Sequence, residues 1–332
     1  MRIACFLLFS FVIFFGGYHS ILALQDVTVD LFGSEYYGTV TAFGDFNSDK
    51  QTDIFIVREQ SELVIFLADL KSPYFKPKVH LPKVFPSDAV ISSVVPGDYD
   101  GDSQMDVLIT THPRIRDSGQ TTVHVFWGSN GTLDKSVKAE LNKTFTDEPL
   151  VMDFNGDMIP DIFGITSVGS SVQVCYLAGR RMVWESALGS EVHLRVPHSN
   201  AFIDLNKDFT ADLFLTTMDS AGNAIFETWI NKEGNFTKTL PAKAPDNARI
   251  VGQSAFVDFD GDGLQDHLLP VCMDESCQRS TIYLSEPGAD EVTAPLPHLP
   301  PSVCCHRPPT HLRLSIPAVA SRRQPRKMSA AA

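Results

Sequence analysis

Residues 98–106 read Asp98-Tyr99-Asp100-Gly101-Asp102-Ser103-Gln104-Met105-Asp106, with acids at positions 1, 3, 5 and 9 of a nine-residue stretch. The pattern Asp-x-Asp/Asn-x-Asp-x-x-x-Asp recurs along the chain. The first copy is Asp45, Asn47, Asp49 and Asp53. The second is Asp98, Asp100, Asp102 and Asp106, and the third Asp153, Asn155, Asp157 and Asp161. The fourth is Asp204, Asn206, Asp208 and Asp212, and the fifth Asp258, Asp260, Asp262 and Asp266. The copies start at 45, 98, 153, 204 and 258, so successive starts lie 53, 55, 51 and 54 residues apart. Chance does not produce so even a period, and a regular period is the first thing to seek in a sequence.

Working outward, each copy is flanked by short runs rich in β-branched and aromatic residues. Before the loops come Val40–Phe43, Ser93–Val95, Leu150–Met152, Ala201–Ile203 and Ala255–Val257. After them come Ile54–Val57, Val107–Ile109, Ile162–Phe163, Leu213–Leu215 and His267–Leu269. Such runs predict strands rather than helices, each loop joining two of them. Further runs, such as Glu62–Leu67 and Thr122–Trp127, supply more strands per repeat. A period near fifty residues made of several strands predicts an all-β fold, a β-propeller with one four-stranded blade per repeat.

The loops predict calcium binding. A hard divalent cation takes six to eight oxygen ligands, and alternate residues of a tight loop can aim theirs at one point. Positions 1, 3, 5 and 9 supply carboxylate or amide oxygens and position 7 a backbone carbonyl. Without a cation, three or four acids within nine residues repel one another. These loops are not EF-hands. That motif needs a bidentate Glu at position 12 between helices, where this chain has Ile56, Ile109, Gly164, Leu215 and Leu269. The second and fifth copies carry four carboxylates. The fourth carries Lys207 at position 4 and is expected to be the weakest site.

The chain has 332 residues, a formal net charge of −13 and 43% hydrophobic residues. That is globular material, and the acidic balance argues against non-specific nucleic-acid binding. Arg2 followed by the apolar run Ile3–Phe15 predicts a signal peptide over residues 1–23, cleaved after Ala23. An uncleaved anchor is the other reading, although the run is short for a span. Sequons at Asn130, Asn142 and Asn235 predict glycosylation in the secretory pathway. Cys272 and Cys277 fit a local disulfide in an oxidising compartment. The alternative, a metal pair, lacks a second Cys/His pair at zinc spacing. Cys175 is expected to be a buried free thiol. No Gly-x-Ser-x-Gly, His-Glu-x-x-His or phosphate-binding Gly loop occurs, so an enzyme is not expected.

The entries Phe43-Gly44-Asp45 and Pro96-Gly97-Asp98, with the Asp-x-Asp-x-Asp-Gly-x-x-Asp loop, resemble the FG-GAP repeats of integrin α-subunit propellers. Residues 94–107, 147–157 and 252–256 more closely resemble a cell-surface family of FG-GAP repeat proteins that modulate T-cell function and adhesion. The likeness runs from about residue 26 to about residue 284. It implies a calcium-binding extracellular module with a protein partner at the cell surface. It also implies a longer propeller, a membrane-proximal β domain, one transmembrane helix and a short cytoplasmic tail. A calcium-dependent, lectin-like carbohydrate-binding propeller is the alternative function. The expected organisation is a signal peptide over 1–23, propeller repeats over 24–284 and a Pro-rich, basic, disordered tail over 285–332. That tail contains Pro295, Pro297, Pro300, Pro301, Arg322, Arg323, Arg326 and Lys327 and has no acid after Glu291. The departure from the family's pattern there reads as truncation or alternative splicing, leaving an incomplete propeller of about five blades.

Overall fold

The computed structural model describes residues 25–285, except 83, 116–119, 169–171, 189–191, 260 and 262, together with 316–317. The expected signal peptide and nearly all of the expected tail lie outside the described residues.

Each repeat folds as its own antiparallel sheet. The first contains β1 (Thr39–Gly44), β2 (Asp53–Arg58), β3 (Glu62–Ala68) and β4 (Phe75–Leu81), paired in chain order. The second contains β5 (Ala89–Gly97), β6 (Asp106–Pro113), β7 (Thr122–Ser129) and β8 (Thr132–Glu140). The third contains β9 (Leu150–Met152), β10 (Asp161–Ile165), β11 (Val172–Tyr176) and β12 (Val183–Ser186). The fourth contains β13 (Ala201–Ile203), β14 (Asp212–Met218), β15 (Ala224–Lys232) and β16 (Asn235–Lys238), with β17 (Ala242–Lys243) also on β15. In the fifth, β18 (Ile250–Val251) and β19 (Ala255–Val257) both pair with β20 (Asp266–Cys272), which pairs with β21 (Arg279–Ser285). The two-residue strand β22 (Ile316–Pro317) lies on β21, in a segment expected to carry no strand.

The all-β expectation holds, and the packing explains the sequence pattern. One apolar cluster joins Phe55 and Ile65 of the first sheet to Val107, Ile109 and Phe126 of the second. The next joins Leu108, Val125 and Trp127 to Ile162 and Cys175. The third joins Phe163 and Val174 to Leu213, Leu215 and Trp229. The fourth joins Phe214 and Phe226 to Leu269 and Val271. The second, third and fourth sheets are therefore covered on both faces by their neighbours. A strand buried on both faces reads as a continuous apolar run rather than an alternating one, and β2, Asp-Ile-Phe-Ile-Val-Arg, is buried throughout.

The outer face of the first sheet meets a different partner. A short helix, α1 (Thr28–Phe32), which the strand-only reading did not anticipate, lays Phe32 against Phe66 and Phe75 at centroid distances of 5.4 and 5.6 Å. Five residues are too few for a helical period to show in sequence, and the helix forms where packing supports it.

The sheets place the acidic loops alike. Position 9 is the first residue of the strand after the loop in every repeat, and it pairs with the last residue before the loop. The pairs are Gly44↔Asp53, Gly97↔Asp106, Met152↔Asp161, Ile203↔Asp212 and Val257↔Asp266.

Candidate metal centre

All five loops share one backbone form. Positions 4 and 6 are left-handed each time: Ser48 and Lys50, Gly101 and Ser103, Gly156 and Met158, Lys207 and Phe209, Gly261 and Gly263, with φ between 61° and 86°. Non-glycine residues enter this region only at a cost of about 1–2 kcal/mol each, so something must hold them there. In the second loop Asp98 Oδ1 accepts the N–H groups of Gly101 (2.8 Å) and Asp102 (3.1 Å), and Oδ2 accepts that of Ser103 (2.7 Å). The Asp153 and Asp204 carboxylates make the same three bonds. Asp45 binds Asp49 and Lys50, and Asp258 binds Gly261 and Gly263. Position 5 fixes the turn that follows. Oδ1 of Asp49, Asp102, Asp157 and Asp208 accepts the N–H of Gln51, Gln104, Ile159 and Thr210, at 2.8–2.9 Å.

Position 9 has a structural role, which sequence reasoning did not separate from the expected ligation. All five of these aspartates are buried, none more than 3% exposed. Oδ2 accepts the N–H of position 2, which belongs to Phe46, Tyr99, Phe154, Leu205 or Phe259, at 2.7–3.0 Å. In three repeats Oδ1 accepts an N–H from the third strand: Ala68 to Asp53 (2.8 Å), Gly128 to Asp106 (2.7 Å) and Asn231 to Asp212 (2.9 Å). The carboxylate thus staples the loop to two strands. At Gly128 the approach is so close that a Cβ would strike the Met105 carbonyl. Burial pushes the Asp106 carboxyl up to about 6 and that of Asp161 up to about 7, with Asp53 and Asp212 moved upward for the same reason.

Among the described residues, one set of three carboxylates converges: Asp98, Asp100 and Asp106 have donor oxygens within 4.8 Å of one another. These are positions 1, 3 and 9 of the second loop. The all-oxygen donor set is that of a hard divalent cation such as Ca²⁺. Asp102, at position 5, lies outside that set. Where position 3 is Asn, its amide donates to the position 5 carboxylate: Asn47 to Asp49 (2.9 Å), Asn155 to Asp157 (3.1 Å) and Asn206 to Asp208 (3.0 Å). In the second loop, where position 3 is Asp, a guanidinium from another repeat takes that place. Arg180 Nε donates to Asp100 Oδ2 at 2.6 Å, and its terminal nitrogen to Asp102 Oδ2 at 3.4 Å. Arg180 was not singled out in the sequence, and no local signal could have found it, since it stands 80 residues from Asp100.

In the fifth loop Asp260 and Asp262 lie outside the described residues, leaving Asp258 and Asp266. Lys207, expected to weaken the fourth loop, also reaches beyond it. Its ammonium lies where a side chain on Gly263 would be, against the fifth loop. Its charge therefore bears on that loop as well as on its own.

The remaining candidates are placed as follows. Asn130 begins the Asn-Gly turn between β7 and β8, exposed, its N–H held by Gln104 Oε1 at 2.6 Å. Asn142 is exposed and accepts a hydrogen bond from Trp184 Nε1 through Oδ1 (2.9 Å). Asn235 is exposed at the start of β16. Cys272 and Cys277 form a disulfide with a Cα separation of 5.3 Å. Cys175 is a buried free thiol, pushed by burial up to about 12.

An FG-GAP-like repeat model matches residues 45–109 and 204–269. The chain is similar to the T-cell immunomodulatory proteins of human, mouse and rat. It is 55% identical to the human protein over 267 residues, 80% of this chain and 43% of that one. It is 53% identical to the mouse and rat proteins, over 81% of this chain and 44% of each of theirs. The chain thus spans less than half the length of the curated relatives it matches.

Proposed function

We propose that this chain, an FG-GAP repeat protein related to the T-cell immunomodulatory proteins, is an extracellular calcium-binding interaction module of β-propeller type. In this reading its five sheets are successive propeller blades. The observation that carries it is the convergence of Asp98, Asp100 and Asp106 within loops built alike in all five repeats. Positions 1, 3 and 9 of each loop would hold the ion, assisted by position 5. A bound Ca²⁺ would neutralise the crowded carboxylates. The chain's own part is to hold those carboxylates in register: position 1 orders the loop's backbone, and position 9 ties it to the sheet.

The relatives' names point to modulation of T cells, and we assign this chain a protein partner at the cell surface rather than a substrate. Among the described residues no helix is long and apolar enough to cross a membrane.

Calcium titration by calorimetry, followed by melting with and without chelator, tests the reading. A ligand bound only by the folded state adds about 2.7 kcal/mol per site at a hundred times its Kd. Calcium is therefore expected to raise the melting temperature. No heat of binding together with identical melts in calcium and chelator would overturn it.

A further inference from the structure

We propose that Arg180 is a tethered counter-ion for the second loop, one that lowers its cation affinity and couples its occupancy to the contact between the second and third sheets. The inference rests on the cation-binding reading above and concerns how one of those loops is controlled.

Among the described residues, this clasp is formed at the second loop. Arg180 lies between β11 and β12 of the third sheet. Its guanidinium bridges Asp100 Oδ2 and Asp102 Oδ2 and lies 5.1 Å from the Trp127 ring centroid. The turn carrying it is docked by its backbone too, for Gly179 donates its N–H to the Asp100 carbonyl at 2.8 Å. Arg180 sits at φ 60°, in the left-handed region that a long side chain seldom enters, and the adjacent Gly179 shares that φ. This conformation brings the guanidinium to the loop.

Exposed ion pairs contribute little to stability, but this one is not wholly exposed. The Asp100 side chain is only 3% accessible, while that of Arg180 is 44%. The pair also replaces an interaction the other loops make internally. In the first, third and fourth loops a neutral Asn at position 3 bonds the position 5 carboxylate. In the second loop two carboxylates stand at those positions, and a full positive charge from the next repeat binds both. A divalent ion held by Asp98, Asp100 and Asp106 would share Asp100 with that guanidinium. Like charges a few ångströms apart repel even at the effective dielectric of a protein surface. Ion binding therefore weakens the Arg180 clasp, and the clasp weakens ion binding, by the same factor.

The test uses terbium as the calcium probe, its emission excited through tryptophan, on the full chain. The emission abolished by Asp98→Asn belongs to the second loop. Arg180→Gln is expected to tighten terbium binding there by roughly tenfold, and to lower the melting temperature of the chelator-treated protein by a few degrees. Arg180→Lys keeps the charge but cannot bridge two carboxylates as a planar fork does, so it is expected to fall between the two. It also carries the test if Arg180→Gln does not fold. Unchanged or weaker binding in the variants, while other loops still take up the ion, would overturn the proposal and leave the loop reading standing. No uptake at any loop, in wild type or variants, would overturn the loop reading itself and this proposal with it.

Discussion

Replacing Asp53 by Ala should separate the structural role of position 9 from the cation ligation proposed for each acidic loop. Asp53 is fully buried. It accepts the N–H groups of Phe46 and Ala68, both at 2.8 Å. Removing the carboxylate orphans two donors that water cannot readily reach. A hydrogen bond to a charged group contributes about 1.5–3 kcal/mol, and an unsatisfied buried donor costs a similar amount, so the loss is about 3–6 kcal/mol. Relief of the buried charge offsets part of it. Burial has raised the carboxyl's pKa, which means the ionised form is disfavoured where it sits. Asp49→Ala is the matched control. Asp49 is exposed, and its partners Gln51 N–H and Asn47 Nδ2 turn to water when it is lost, so the expected cost is below about 1 kcal/mol. Urea unfolding followed by circular dichroism, in chelator so that no ion contributes, reads both. The midpoint should drop markedly for Asp53→Ala and barely for Asp49→Ala. Equal midpoints for the two variants would refute the assignment of position 9 as a structural staple.

Three further outcomes are expected. His124 is buried, with its Nε2 against the Thr111 hydroxyl and Glu140 and Lys138 near its open side. Burial first and Lys138 second push its imidazole down to about 4, with Glu140 opposing. The folded pKa lies below the unfolded value, so the stabilising effect of the neutral ring is complete above about pH 6.5 and lost as pH falls toward about 4. Its slope is at most about 1.4 kcal/mol per pH unit. His124→Gln should remove that slope, and the difference between wild-type and variant unfolding curves across this window measures it free of the opposite trend from Asp106 and Asp161; parallel curves would count against it. The Cys272–Cys277 disulfide closes a short loop, so replacing both by Ser should cost about 2 kcal/mol, read as a lowered urea midpoint; a loss of the fold would mean the bridge does more than close that loop. Secreted protein treated with an N-glycan-removing enzyme should gain mobility on a gel, and the shift should shrink stepwise with Asn130→Gln, Asn142→Gln and Asn235→Gln. Absence of any shift would argue against passage through the secretory pathway.

Much of this protein is written locally. The spacing of Asp45, Asp98, Asp153, Asp204 and Asp258 and the apolar runs beside them placed the loops and their flanking strands at the right residues. They could do so because strand patterning and turn chemistry act over a few neighbours, and the same few neighbours recur five times. What the tertiary structure alone decided lies in contacts between residues far apart in sequence. Asp106 appears in the sequence as one more ligand, yet its other oxygen binds Gly128 N–H, 22 residues on. α1 is defined less by its own five residues than by the bare face of the first sheet that it covers. Lys207 counts against its own loop in sequence and stands against the next one in space. Arg180 carries no local mark at all, because only the stacking of the third sheet on the second brings its guanidinium to Asp100. Charge and hydrogen bonding act through distance in space, and the chain's order sets that distance only for near neighbours.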